Sequence, residues 1–322
     1  MLQFLFVVGC SMLIVGPAQA TQSPVGQDPV FTNLYFNKNV FKNGLFNEQR
    51  VCQVPAERLP ESLIAWDLNG VVFQKEYSLT DNIAELIAAQ GYLETARLLY
   101  TFGKLYAYKL YLKSQNDPRG FVWDAIFSSL ETSEAGKKDA QTLRYFAQKA
   151  NHLDFAIVGL LKELKDRGHS SVVLSNMGQK LADAQVELLE AHIATLTEDS
   201  EEKTASQSAL EFLTQSSNVI ASQENGWLHK PDRASYQTCL DKNPATHNSD
   251  HITIFIDDKK RNIDAAVADG LFDIAISYQN ADNLKAIFVA LALASVAKAQ
   301  TNTLPTDSEQ LQLEANPQEN FV

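Results

Sequence analysis

The sequence predicts an α/β fold: a central parallel sheet, interrupted after its first strand by an inserted helical cap. Three observations predict it. Short apolar runs recur along the chain, and each stops on a polar residue: Ile64-Ala65-Trp66 before Asp67, Val172-Val173-Leu174 before Ser175, and Ile252-Thr253-Ile254-Phe255-Ile256 before Asp257. Runs of that kind, bounded by turn residues, read as strands buried on both faces, as parallel strands are. Helix-like stretches alternate with them, most clearly from Asp154 to Gly168, where a glycine stop leads straight into the Ser171 run. Helix, glycine, strand is one α/β step. Finally, 322 residues that are 45% hydrophobic and 20% charged are enough for one such core and a smaller domain.

In chain order, the first twenty residues carry no charge and end Ala18-Gln19-Ala20, the small-x-small pattern of a signal peptidase site. Residues 1–20 are therefore expected to be a signal peptide cleaved after Ala20, delivering the chain to the periplasm or the outside. A basic leading region is missing, so a lipoprotein box at Val7-Val8-Gly9-Cys10 or an uncleaved membrane anchor are the other readings. Residues 21–60 read as an extension before the core, which is expected over 61–79 and 152–299. Residues 80–151 are rich in helix formers with apolar residues at helical spacing, as in Ile83-Ile87 and Leu93-Ala96-Leu99, and form the expected cap. Its aromatics Tyr106, Tyr108, Tyr111, Phe121 and Trp123 could line a pocket or simply build the cap's own core.

Residues 184–215 read as a second helical insertion around the polar run Thr197-Glu198-Asp199-Ser200-Glu201-Glu202-Lys203, a solvated hairpin or a surface for a protein partner. The apolar stretch Ala286 to Ala294 is too short for a membrane span and reads as a packed helix. Residues 300–322 are a polar tail expected to be disordered. Once the leader is removed, no stable membrane span is expected. Cys52 and Cys239 would then share a compartment where disulfides persist, either bridged or as two buried thiols. A net charge of −12 argues against a nonspecific grip on nucleic acid, which needs clustered lysine and arginine.

Four segments carry chemistry. They are Trp66-Asp67-Leu68-Asn69-Gly70, Leu174-Ser175-Asn176-Met177-Gly178, Leu228-His229-Lys230-Pro231-Asp232 and Ile256-Asp257-Asp258-Lys259. Each has an ordinary structural reading: a turn, a helix cap, a surface lysine, an acidic pair at a helix start. In order and chemistry together they resemble the haloacid dehalogenase superfamily of aspartate-nucleophile hydrolases, over most of residues 61–285.

The resemblance implies a Rossmann-like core, a helical cap that closes over the site and reads the leaving group, and phosphoryl transfer by positioning and charge neutralisation. Asp67 would be the nucleophile, forming an aspartyl-phosphate. Magnesium, Mg2+, would be held by the Asp67 carboxylate, the Asn69 carbonyl and Asp258, with Asp257 as a further ligand or a support. Ser175 and the amide of Asn176 would bind phosphoryl oxygens, and Lys230 would offset the anion's charge.

The chain departs from the family's phosphatases at Asn69, where they usually carry a second aspartate as general acid and base. Asparagine cannot lend and recover a proton, a service worth about a hundred- to ten-thousand-fold. Four readings follow: a slow phosphatase using water or a substitute acid, a hydrolase of a non-phosphate substrate, a non-catalytic interaction protein on the same fold, or deamidation at Asn69-Gly70. The family's dehalogenases also lack the second aspartate, but the pair Asp257-Asp258 favours a metal site and hence phosphate. The expectation is an exported, magnesium-dependent phosphatase acting on a small phosphorylated substrate.

Overall fold

The computed structural model describes residues 33–36, 62–75, 79–149, 151–243, 251–268 and 270–291. Residues 1–20, expected to be a signal peptide, Cys52 and residues 300–322 lie outside the described residues. In chain order the elements are β1 Leu34–Phe36, β2 Ser62–Trp66, β3 Phe73–Lys75, α1 Leu79–Gln90, α2 Tyr92–Ser114, a 3-10 turn at Pro118–Phe121, α3 Trp123–Ser128, α4 Glu134–Lys149 and β4 Asn151–Leu153. There follow α5 Phe155–Asp166, β5 Ser170–Ser175, α6 Gln179–Thr195, α7 Glu201–Leu213, β6 Val219–Ile220, α8 Arg233–Asp241, β7 Ile252–Asp257, α9 Lys260–Ala268, β8 Ile274–Ser277 and α10 Ala281–Ala290.

Six strands form one sheet in the order β1-β8-β7-β2-β5-β6. All neighbours are parallel except β1, which runs antiparallel to β8 along the edge. Read from β2 outward, the chain adds β5 and β6 on one side, then β7 and β8 on the other. The strand order thus reverses at β2, and in open α/β sheets such a switch point opens a crevice at the carboxyl ends of the strands. The fold class is the predicted one: a Rossmann-like α/β core with helices inserted after its first central strand.

The alternation of β2 explains the two helical layers. Ile64 and Trp66 point to one face and join α5, α7 and α10 through Val158, Leu161, Phe212, Ile287 and Phe288. Leu63 and Ala65 point to the other and meet α8 and α9 through Tyr236, Cys239, Ile263 and Ala266. Side chains on a strand alternate between faces, so one buried run feeds two cores. Asp154 starts α5 by accepting hydrogen bonds from the Ala156 and Ile157 N–H groups at 3.1 and 3.3 Å, satisfying donors a helix start leaves free.

Residues 184–215 are not a projecting hairpin. Leu181, Ala182, Gln185 and Leu189 of α6 and Ser206, Ala209, Phe212 and Leu213 of α7 are buried, and α7 packs over α5 as a crossover helix of the sheet. The polar run between them is largely exposed, as are the last turns of α6. No helix among the described residues is long and apolar enough to cross a membrane, and the Ala286 stretch lies mostly in α10, packed on α5. Cys239 is a free thiol, pushed up to about 12 by burial.

Candidate active site

β2, β5 and β7 end side by side, and each end carries one polar side chain into the same crevice. The Asp67 N–H donates to the Ile256 carbonyl at 2.9 Å, so the residue after β2 is still held by β7. The chain then folds back on itself: the Val72 and Phe73 N–H groups both donate to the Leu68 carbonyl, at 3.0 and 2.8 Å. This tight turn buries Leu68, Val71, Val72 and Phe73 and aims the Asp67 carboxylate at the crevice.

Lys230 crosses the crevice as a buried bridge. Its ammonium lies 2.8 Å from Asp67 Oδ1 and 2.6 Å from Asp257 Oδ2. Burial would push this ammonium down, but the Asp257 and Asp67 charges outweigh it and hold it above the ordinary lysine range. Asn176 sets the bridge's position: its side-chain amide donates to the Lys230 carbonyl at 2.8 Å, and its Oδ1 accepts from the Lys230 N–H at 2.7 Å. The Asn176 side chain is therefore committed to Lys230, which leaves its main-chain N–H as the group to offer an anion.

Asp67 and Asp257 differ in what they have left to give. Asp257 accepts from Lys230, from the Lys259 N–H at 2.8 Å, and from Asn262 Nδ2 with both oxygens at 3.0 and 2.9 Å. Its lone pairs are spoken for. Asp67 Oδ1 likewise takes the Leu68 N–H at 2.9 Å and the Ser175 hydroxyl at 3.3 Å besides Lys230. Asp67 Oδ2, by contrast, faces the Lys259 ammonium only at 4.0 Å. Asp258 uses Oδ1 for Lys259 at 3.2 Å.

The carboxylates of Asp67, Asp257 and Asp258 each bring an oxygen within 4.8 Å of the others, an arrangement able to hold a cation. Asp67 and Asp258 lead that set, because their second oxygens are open. Three carboxylates against the ammoniums of Lys230 and Lys259 leave one net negative charge. Burial pushes the Asp67 carboxyl up to about 6; Lys230 and Lys259 pull against the rise and Asp257 adds to it. A divalent cation reverses the sign of the site, and hard oxygen ligands suit magnesium.

Gly70 makes room for this. A Cβ there would sit 2.7 Å from Asp258 Oδ2, and its φ of +91° is one that side-chain-bearing residues rarely adopt. Gly70→Ala is expected to displace Asp258 and weaken magnesium binding by about tenfold or more, with the fold kept; calorimetric titration and far-ultraviolet circular dichroism check both.

Asn69 sits at the start of the turn, and its Oδ1 is buried with no hydrogen-bond partner among the described residues. The position where a proton donor was expected thus holds a side chain with no proton to give at that oxygen. Deamidation is opposed by the same turn, because the Gly70 nitrogen that must attack the Asn69 side chain donates to the Phe73 carbonyl at 2.8 Å.

Asp67, Asn69, Ser175, Asn176, Lys230, Asp257 and Asp258 gather at these strand ends. The sequence reading gave no role to Asn262, which orients Asp257, to Lys259, or to His229, whose ring stacks on Phe121 of the inserted helices at 4.4 Å. Asn262 falls five residues beyond Asp257, a spacing visible in the sequence. The Phe121 contact is not. Among the cap aromatics, Tyr106 and Trp123 stack together with Phe102 and Phe127 as core, while Tyr111 is exposed.

The insertion is tied to the core at the start of α6. Asp124 accepts from the Lys180 N–H at 3.0 Å and from Arg144 Nε at 2.9 Å, while Glu131 takes both Arg144 and Lys180. Gly178 admits this docking, since a Cβ there would meet the Asp124 Cβ at 2.2 Å.

No protein-family model and no curated protein matches the chain. Among solved structures, the chain superposes on a HAD family enzyme of Bacteroides thetaiotaomicron at 12% identity, covering 71% of this chain and 98% of that one, with a TM-score of 0.43.

Proposed function

We propose that the chain is an exported phosphomonoester phosphatase of the haloacid dehalogenase type, dependent on magnesium and working through an aspartyl-phosphate on Asp67. The observation that carries this is the open Oδ2 of Asp67 beside Asp258, with Lys230 locked between Asp67 and Asp257. Asp67, Asp258 and the Asn69 carbonyl would hold the ion, which supplies positive charge to the transferred oxygens.

The Asp67 carboxylate attacks phosphorus, and the new P–O bond forms as the bond to the leaving oxygen breaks. The Ser175 hydroxyl and the Asn176 N–H hold phosphoryl oxygens, and Lys230 keeps Asp67 ionised against the approaching anion. The leaving oxygen takes its proton from water, because Asn69 has none to lend. Water then attacks phosphorus, passes its proton to solvent, and frees Asp67 and inorganic phosphate.

Turnover should therefore fall steeply as the leaving alcohol becomes less acidic. Aryl phosphates of graded leaving-group acidity, assayed with magnesium and with chelator, test this. Activity is expected only with the metal and mainly on the best leaving groups. In Asn69→Asp the dependence is expected to flatten, with a gain of about a hundredfold on the poorest. Absence of turnover in both proteins, while magnesium still binds, would sink the phosphatase and favour an interaction protein on this fold.

A further inference from the structure

Helix α2 is apolar on two opposite sides, and among the described residues only one of them is covered. Leu98, Leu105 and Leu112 are buried against the other inserted helices. On the far side Leu93, Ala96, Tyr100, Gly103, Ala107 and Leu110 follow one another at alternating intervals of three and four residues, and all six are exposed. Leu93 is 90% exposed, Tyr100 66% and Leu110 49%. Alternation of three and four keeps one stripe in line along a helix, the seam by which two helices pack. Single exposed apolar residues are ordinary, but a stripe of them the length of a helix marks an interaction surface.

Gly103 points the same way. It sits inside a 23-residue helix, where only proline is less favourable than glycine. A Cβ there would meet nothing within 4 Å, so no neighbour in the described chain requires the missing side chain. A second backbone crossing at this point would, since glycine permits close approach. The seam fits a copy of itself running the other way. With two α2 helices antiparallel and centred between residues 101 and 102, Leu93 lies opposite Leu110, Ala96 opposite Ala107, and Tyr100 opposite Gly103. The one large ring on the seam then meets the one residue without a side chain. The same register brings Lys104, whose ammonium rests 4.3 Å from the centre of the Tyr100 ring, alongside Arg97 of the second copy. Glu94 and Asp139 share that guanidinium, and two carboxylates against one cation leave one net negative charge for the lysine. Each face is roughly 35 Å long and about 10–12 Å wide, so the pair buries on the order of 1,000 Å², enough for a specific, reversible dimer.

We infer that the exposed face of α2 is where the chain pairs with a second copy of itself, helix against helix and antiparallel. The pairing is independent of the chemistry at Asp67. Its two-fold symmetry makes the contact closed, because each copy offers the same stripe and receives the same stripe.

Sedimentation velocity of the full chain between about 1 and 100 μM is expected to show monomer giving way to dimer, as an interface of this size implies. Tyr100→Asp and Gly103→Glu are expected to stay monomeric over that range. Glutamate is a better helix former than glycine, so the far-ultraviolet circular dichroism of Gly103→Glu should hold or rise, which separates a lost contact from a lost fold. Orientation is read by disulfide crosslinking under mild oxidation. A mixture of Leu93→Cys and Leu110→Cys is expected to give several-fold more linked dimer, over the parent's background, than either variant alone. A parent that is monomeric throughout, or a dimer that survives both substitutions, overturns the inference, as does Leu93→Cys crosslinking alone as well as in the mixture. A monomeric parent that binds anionic phospholipid vesicles, and loses them in Tyr100→Asp, overturns it too and gives the face to a membrane.

Discussion

Asp67→Asn is expected to abolish phosphatase turnover, by about a thousandfold or more, while the protein stays folded. The neutral side chain keeps the shape of the original and can still accept from the Leu68 N–H, which now lies 2.9 Å from Asp67 Oδ1. What it loses is the nucleophile and one of the carboxylates of the cation cluster. Stability should not fall with it. Burial holds the Asp67 carboxyl at about 6 in the folded chain against 3.8 in an ordinary setting, so the folded state keeps this proton better than the unfolded one. A raised carboxylate contributes its stability below the unfolded value and loses it as pH rises to the folded one. The parent therefore loses stability between about pH 4 and pH 6 on this account, and Asp67→Asn does not. Urea unfolding without metal, at pH 4 and pH 7, should show the variant gaining on the parent as pH rises. Magnesium should then stabilise the parent and leave the variant nearly unmoved. A variant with turnover near the parent's would remove Asp67 from the mechanism.

The parts of this site that were legible in the sequence are those fixed by local pattern. Apolar runs end on Asp67, Ser175 and Asp257 because a buried parallel strand must surface at its carboxyl end, and the turn at Gly70 needs a residue tolerant of positive φ. The parts that were hidden depend on distant pairings. That Asp257 is saturated by Asn262, Lys259 and Lys230 follows from the packing of α9 and of the loop before α8 against one strand end. The task of the Asn176 side chain is one such pairing: the loop carrying Lys230 comes back to it from 54 residues away and occupies both its ends. β1 and β6 have three and two residues, too short to show a period, and β1 is specified by its register against β8, with Tyr35 opposite Ala275. The packing of the 184–215 segment was hidden because its most visible feature is the polar run, while the apolar faces that pack α6 and α7 are spread at helical spacing on either side of it.

Lys230→Met is expected to be the most damaging single change to stability in the crevice. Lys230 is fully enclosed, and its ammonium is the charge shared by two buried carboxylates, Asp67 and Asp257. Methionine matches its volume but leaves those carboxylates facing each other in a dry setting. Removing one partner of a buried ionic set costs about 3 to 5 kcal/mol, because the remaining charge is uncompensated. The damage should depend on pH in a definite direction. Without Lys230 the main pull that opposes the rise at Asp67 is gone, so this carboxyl moves further up and the variant recovers part of its stability as acidification protonates it, which begins at a higher pH than in the parent. Lys230→Met should thus differ more from the parent at pH 8 than at pH 5 in urea unfolding. Magnesium separates this electrostatic account from simple loss of packing: an ion beside Asp67 and Asp258 replaces part of the missing positive charge, so the metal should stabilise Lys230→Met more than it stabilises the parent. Equal stabilisation of the two, with a loss independent of pH, would mean that Lys230 fills space in the crevice and that its charge does not hold the carboxylates together.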